Sequence, residues 1–320
     1  MTPTAKGLSL MSGGLDSQLA IRVLQNAGAQ VEAVCFSTPF FDCSTARKAA
    51  DALGVPLHVI DFLDDEIALI ESPPHGFGGA MNPCIDCHAT MIRRAGELMT
   101  RLGYDFVATG EVQGQRPMSQ NRQALGVVEK SSGLKGRLVR PLSAKLLEPT
   151  IPELEGKLDR EKLMDISGRA RDRQIALAAA FGIVDYPSPA GGCKLTEEAF
   201  GRKLKDLMEH EGLRTAGAAG PDGQSPVNRA LVELLVVGRR FRLPDGSSVI
   251  LGRDRLENER LRKQDFGTLF MPTNGIVGPT ALVPIVKSEA DAQIVQALVN
   301  AYVKGTTESD RIAFRPLQIV

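Results

Sequence analysis

Two groups of residues have types and spacings that could do chemistry. The first is Ser12-Gly13-Gly14-Leu15-Asp16-Ser17. Two adjacent glycines let the backbone turn tightly and aim successive N–H groups at an anion. A helix beginning there adds unpaired donors and a partial positive charge. Ser12 and Ser17 can donate hydroxyls to phosphate oxygens. Asp16, among so much negative charge, needs a Mg²⁺ ion or a backbone donor to offset it. An ordinary glycine turn with a serine cap is the competing reading. The second group is Asn82-Pro83-Cys84-Ile85-Asp86-Cys87-His88 together with the distant Gly191-Gly192-Cys193. A Cys-x-x-Cys at a helix start puts two sulfurs on one side, and a helix N-terminus favours the thiolate. Four chemistries compete for these thiols: c-type haem attachment, a structural Zn²⁺ on Cys84, Cys87, Cys193 and His88, a persulfide-carrying redox pair, and a [4Fe–4S] cluster on Cys84, Cys87 and Cys193. Three-cysteine ligation leaves one iron open to an exogenous ligand such as hydrosulfide. The cluster is the expectation we carry forward, with Zn²⁺ as its alternative.

Elements must position these groups. Gly7 to Met11 reads as a buried strand, and Leu19, Val23 and Leu24 recur at helical spacing until Ala27-Gly28. Val31 to Phe36 reads as a second strand, Thr45 to Leu53 as a helix closed by Gly54, and Leu57 to Ile60 as a third strand. After the Gly/Pro-rich loop from Ser72 to Pro83, His88 to Leu102 reads as a helix and Asp105 to Thr109 as a strand. This alternation predicts an α/β fold with a mostly parallel sheet and helices on both faces. Ligands then sit beyond the carboxyl ends of the strands, where the Ser12 loop falls. Composition changes at Tyr186 to Gly192, a helix is expected over Thr196 to His210, and Thr215 to Pro226 reads as a linker. Further on, Leu234 to Val237, Arg240 to Leu243 and Val249 to Leu251 read as strands, the last two forming a hairpin about Asp245-Gly246. The expected organisation is a nucleotide and sulfur domain over 1–185, a connecting segment over 186–226, and a smaller α+β domain over 227–320.

Composition bounds the function. With 320 residues the chain exceeds one typical domain, and 43% hydrophobic content suffices for packed cores. No run of 18 apolar residues is present to span a membrane, and Met1 to Leu8 lacks the pattern of a signal peptide. Five cysteines in such a chain point to a reducing compartment, so the cytoplasm is expected. Cys35 reads as a core residue and Cys43 as a residue without a role, while His58 and His75 read as structural or exposed. Thirty-eight basic residues balance thirty-eight acidic ones, so any nucleic-acid role rests on local patches. The absence of Trp and 5% aromatic content argue against a base-stacking single-strand binder.

The six-residue loop after the first strand resembles the SGGxDS loop of the PP-loop ATPase superfamily, an adenine nucleotide alpha hydrolase-like fold. That loop lacks the lysine of a P-loop. The resemblance implies that Ser12, Gly13, Gly14, Asp16 and Ser17 hold the pyrophosphate of ATP. It also implies that Ala108-Thr109-Gly110 is a second nucleotide-side motif, and that Ser37 contacts adenine or ribose. SGGxDS, then NPCxxC, then a distant Gly-Gly-Cys is similar to the tRNA thiouridine synthetase branch, the truncated 4-thiouridine synthase-like proteins and 2-thiouridylases, over about Lys6 to Leu207. For that branch the implied activity is ATP-dependent thiolation of a uridine, with Cys84, Cys87 and Cys193 acting as cluster ligands or as a catalytic disulfide pair. A sulfide or persulfide donor is implied. The alternative is a PP-loop ligase acting on a small molecule, with zinc at the thiols.

RNA contacts require basic patches. Between Gln113 and Lys145 lie Arg116, Arg122, Lys130, Lys135, Arg137, Arg140 and Lys145 against one acid, Glu129. Near the other end, Val237-Gly238-Arg239-Arg240-Phe241 and Leu251-Gly252-Arg253-Asp254-Arg255 to Asn258 are similar to the RNA-binding module of NFACT-type proteins. That resemblance implies a hairpin whose Arg239, Arg240, Arg242, Arg253 and Arg255 clasp phosphates of RNA, tRNA in the first instance. A surface-charged accessory domain that supports a homodimer is the other use.

Overall fold

The computed structural model describes residues 4–116, 119–188, 192–215 and 225–319, and the chain divides into two compact units, Met1–Cys193 and Lys194–Val320. In the first unit the elements run β1 (Lys6–Leu10), α1 (Leu15–Asn26), β2 (Gln30–Ser37), α2 (Ser44–Leu53), β3 (Leu57–Asp61), α3 (Leu63–Glu71), α4 (Cys84–Leu102), β4 (Phe106–Ala108), α5 (Arg122–Ser132), β5 (Leu138–Val139), α6 (Ile151–Leu154) and α7 (Asp172–Ala180). The five strands form one parallel sheet in the order β3-β2-β1-β4-β5. The chain leaves β1 toward β2 on one side and meets β4 on the other. The crevice at this reversal therefore opens beyond the carboxyl ends of β1 and β4, which carry the Ser12 loop and Thr109-Gly110.

The sheet is covered on both faces because its strands are buried on both. One face packs Leu15, Leu19, Val23, Ala46 and Ala178 from α1, α2 and α7, and the other packs Ile92 and Met99 from α4 and Val128 from α5 against Leu8, Val34 and Val107. Helices α2 and α4 stop where sequence punctuation directs, at Gly54 (φ 67°) and Gly103 (φ 68°) in the left-handed region. Cys35 and Cys43 depart from expectation. They are joined in a disulfide with Cα atoms 6.0 Å apart, tying the end of β2 to the start of α2. Sequence spacing concealed this because the two meet only after the chain turns back at Thr38, whose N–H donates to the Phe41 carbonyl.

The second unit contains α8 (Glu198–His210), α9 (Arg229–Glu233), β6 (Arg239–Arg242), β7 (Ser248–Leu251), α10 (Arg255–Arg262), β8 (Thr268–Phe270), β9 (Ala281–Val283), α11 (Glu289–Ala301), α12 (Glu308–Arg311) and β10 (Gln318–Ile319). Its strands form an antiparallel sheet in the order β10-β6-β7-β9-β8. The β6–β7 hairpin turns at Asp245-Gly246 as expected, with Gly246 at φ 85° and the Ser247 N–H donating to Asp245 Oδ1 at 2.7 Å. Helix α11 closes one face through Val295, Leu298 and Val299 on Phe241, Val249 and Leu251. The expected strand Leu234–Val237 is instead α9 continuing as a 3₁₀ turn over Leu234–Val236. A four-residue apolar run carries no period of its own, and Leu231, Val232, Leu234 and Leu235 are buried at helical spacing. Residues 216–224 of the expected linker, and Pro189 to Gly191 before Cys193, lie outside the described residues. Among the described residues no helix is long and apolar enough to cross a membrane.

Candidate functional site

The phosphate loop is built by close approach. Gly13 adopts φ +82°, and a Cβ there would stand 2.5 Å from the Thr45 carbonyl carbon at the start of α2. A Cβ on Gly110 would lie 2.7 Å from the Asp16 carbonyl and the Ser17 nitrogen, so only glycine lets the loop after β4 lie against the first turn of α1. Helix α1 has Gly14 as N-cap and no side-chain cap, so its leading N–H groups keep their donor capacity for a ligand. The Gly14 N–H donates weakly to Ser12 Oγ (3.3 Å), and Ser17 Oγ donates to the Gly14 carbonyl at 2.8 Å. Asp16 Oδ2 accepts from Gln115 Nε2 at 3.1 Å, whereas Asp16 Oδ1 is buried with no hydrogen-bond partner among the described residues. Ser37 sits half-buried at the end of β2, its carbonyl accepting from Phe62 N–H.

The thiols lie at the start of α4 and at the end of the first unit. Cys84 opens α4, and its Sγ accepts from Asn82 Nδ2 at 3.2 Å. Cys87, one turn on, donates from Sγ to Glu66 Oε2 at 3.3 Å. Burial, then the Glu66 carboxylate, then the charges of Cys193 and Cys84 push the Cys87 thiol pKa well above its ordinary value. Cys193 ends the first unit. At Cys87 the expectation that the helix terminus favours thiolate fails, because burial beside a carboxylate outweighs the dipole. Glu66 is itself buried, which raises its pKa to about 7 against the opposing pull of Cys87 and His88. Asp86 faces the other way, accepting from the His75 backbone N–H at 2.9 Å and lying 2.6 Å from His75 Nδ1, which fixes the preceding loop to α4.

A network of buried charge that the sequence did not announce connects α4 to the strand ends. His88 Nδ1 stands 3.6 Å from Glu111 Oε1, and Glu111 Oε2 accepts from Thr109 Oγ1 at 3.0 Å and Arg140 Nε at 2.9 Å. Burial alone would raise the Glu111 pKa, but His88 and Arg140 outweigh it and hold the carboxyl at about 2. Arg140 is 3% exposed and also donates to Glu129 and the Leu125 carbonyl. It is thus a framework residue rather than an RNA contact. Removing one partner of a buried pair leaves the other uncompensated, so Glu111→Gln is expected to cost about 3–5 kcal/mol at neutral pH. Because the folded pKa is depressed, that contribution is present above the ordinary 4.5 and is lost as pH falls toward 2. Urea titrations should show the wild-type advantage shrinking across that window. A difference that does not change with pH would refute this account.

Of the other expected RNA contacts, Arg116, Arg122 and Arg137 are exposed, and Arg137 donates to the Asp105 carbonyl. In the second unit Arg239 lies 5.3 Å from the Tyr302 ring centroid, and Arg253 is exposed but bonded to Glu257. Arg240 is fully buried, and Arg242 is clamped by Asp206 and by Glu211 (2.7 Å). A phosphate clasp through those two is therefore corrected, since β6 turns them inward onto α8.

Comparison with known proteins agrees with the first unit. Residues 6–130 match the tRNA methyl transferase HUP domain family. The chain is 36% identical over 129 residues to the tRNA-specific 2-thiouridylase MnmA of Cutibacterium acnes, covering 33% of this chain and 34% of that one. It is also 36% identical over 112 residues to the corresponding protein of Sulfurimonas denitrificans, covering 31% and 32%. The chain thus spans about a third of the length of the curated relatives it matches. Among solved structures, a 4-thiouridine synthetase–RNA complex with bound ATP aligns at TM-score 0.36 and 21% identity over 56% of this chain and 52% of that one. A predicted tRNA methyltransferase subunit from Methanocaldococcus jannaschii aligns at 0.36 and 16% over 55% and 76%. The family match ends at residue 130, so the NFACT resemblance of the second unit rests on its sequence motif alone. The glycine-built loop and the first four strands of the parallel sheet lie within residues 6–130, the segment that matches the tRNA methyl transferase HUP domain family.

Proposed function

We propose that this protein thiolates a uridine of RNA, a tRNA in the first instance, in an ATP-dependent reaction in the cytoplasm. The observation that carries the reading is that the free thiols Cys84, Cys87 and Cys193 belong to the same compact unit as the phosphate loop. ATP with Mg²⁺ binds at Ser12 to Ser17, with Thr109 and Gly110 beside the loop and Ser37 toward the nucleoside. The uridine carbonyl oxygen attacks the α-phosphorus, the bond to the β-phosphate oxygen breaks, and pyrophosphate leaves. Loop N–H groups stabilise the charge that develops on the phosphate. Sulfide then attacks the activated carbon, and AMP departs with the oxygen.

The donor set is three free thiols, Cys84 and Cys87 one turn apart at the start of α4 and Cys193 at the end of the same unit. Among the described residues no three His, Cys, Asp or Glu side chains are placed to hold one metal ion. The cluster reading rests on the Asn82 to Cys87 and Gly191 to Cys193 pattern of the sequence. Cys84, Cys87 and Cys193 would hold the cluster, which when bound supplies an open iron position for exogenous sulfide or a persulfide donor. Ligation requires Cys87 to lose its proton, and Glu66 Oε2, already hydrogen-bonded to it, is the acceptor at hand. Exposed Arg116, Arg122 and Arg137, with Arg239 and Arg253 of the second unit, contribute backbone contacts to RNA.

Anaerobically purified protein should be brown, contain iron, and release pyrophosphate only when RNA is added. Nucleoside mass spectrometry on RNA from a deletion strain should lack one thiouridine. Colourless protein with zinc, turning over ATP without RNA, would replace this reading with that of a small-molecule ligase.

A further inference from the structure

The phosphate loop has no lysine, so its own residues offer a triphosphate only N–H and hydroxyl donors. The structure brings a cation to it from outside. Arg171, the N-cap of α7, places Nη2 4.0 Å from Asp16 Oδ2, at the outer edge of an ion pair. Among the described residues its Nε is buried with no hydrogen-bond partner, as is Asp16 Oδ1. Gln174, the third residue of the same helix, is 0% exposed, and neither its Oε1 nor its Nε2 has a partner among the described residues. Side chains at a helix N-cap and at the third helical position sit side by side. Four orphaned polar atoms at one helix start and the carboxylate beside it exceed what a native interior leaves unexplained. The segment bearing Arg171 is also held in place. Ser167 bridges to Gln113, the Gly168 N–H donates to the Gln113 carbonyl at 2.8 Å, and Gln115 from that same loop binds Asp16.

We propose that Arg171 binds the β- and γ-phosphates of ATP across from the phosphate loop, supplying the positive charge which that loop lacks. The assignment rests on the ATP reading above. A guanidinium presents a planar fork that bonds two phosphate oxygens at once, and this one is already set at the correct crevice. Without nucleotide it leans toward Asp16. When magnesium–ATP enters, Asp16 serves the ion and Arg171 the phosphates. No sequence motif flagged it, since Gly168-Arg169-Ala170-Arg171 reads as one more basic turn.

Equilibrium binding of magnesium–ATP, AMP and pyrophosphate, measured without RNA, tests the assignment. Losing a charge-assisted bond should weaken ATP and pyrophosphate binding in Arg171→Met by about ten- to hundredfold and leave AMP binding unchanged. Arg171→Lys should recover part of the loss, and it guards against a methionine variant that fails to fold. Arg173→Met, at an exposed residue paired with Asp165, should match wild type. Wild-type affinity for ATP in both Arg171 variants would overturn the proposal. So would equal losses for ATP and AMP, or lost RNA affinity with ATP binding intact, which would make Arg171 an RNA contact. Wild-type protein that binds no ATP at all would instead overturn the nucleotide reading beneath it.

Discussion

Asp16→Ala is expected to lower RNA-dependent pyrophosphate release by at least about 10²–10³-fold, the usual loss when a group stabilising transition-state charge is removed. Folding should be almost untouched. Among the described residues the Asp16 side chain makes one hydrogen bond, to Gln115, and a long contact to Arg171, and it is 23% exposed. Substitutions at such positions usually fall within about 0.5 kcal/mol. The two effects differ because the carboxylate has little to do in the empty protein and much to do with substrate present. Its Oδ1 is buried without a hydrogen-bond partner among the described residues, a cost that magnesium arriving with the triphosphate would repay under the proposed function. Asp16→Asn keeps the shape and the bond to Gln115 but loses the charge, so it should fail almost as badly. Pyrophosphate release at the wild-type rate in both variants, with melting temperatures unchanged, would show that the loop is a structural turn.

How far the site could be read in advance depended on whether its causes were local. The phosphate loop was legible because a strand, two glycines and a helix start are consecutive, and Gly13 and Gly110 are glycines for reasons of close approach. The strand and helix order of the first unit followed from period and punctuation in the same way. Arg140 was misread because counting charges along a segment cannot see that β5 turns this one inward onto Glu111. Glu66 was invisible for a related reason. Asp64-Asp65-Glu66 looks like an acidic helix start, and only the packing of α3 against α4 separates the buried member from its exposed neighbour Asp64. The Cys35–Cys43 pair and the Arg171 contact are tertiary facts with no signature in spacing. In the second unit the Asp245-Gly246 hairpin is legible, whereas the sequence alone leaves Arg242 looking like a phosphate ligand because its partners Asp206 and Glu211 lie far from it in the chain.

Cys193→Ala should abolish thiouridine formation while leaving RNA-dependent pyrophosphate release near the wild-type rate. In the proposed reaction the two half-reactions use different residues. Adenylation would draw on the Ser12 to Ser17 loop and Thr109-Gly110, and sulfur delivery on three sulfurs, of which Cys84 and Cys87 lie on α4 and Cys193 does not. Residues that act as one unit lose function non-additively, so Cys84→Ala, Cys87→Ala and Cys193→Ala should each fall to the level of the triple variant, and iron content should fall with them. Cys87 adds a second reading of the same geometry. After burial, the Glu66 carboxylate bonded to its Sγ is the main cause opposing its ionisation, so alkylation of Cys87 in iron-free Glu66→Gln protein should quicken relative to wild type. Normal thiouridine in RNA treated with Cys193→Ala would remove the distant sulfur from the chemistry. Lost thiouridine together with lost pyrophosphate release would instead make Cys193 a support of the fold.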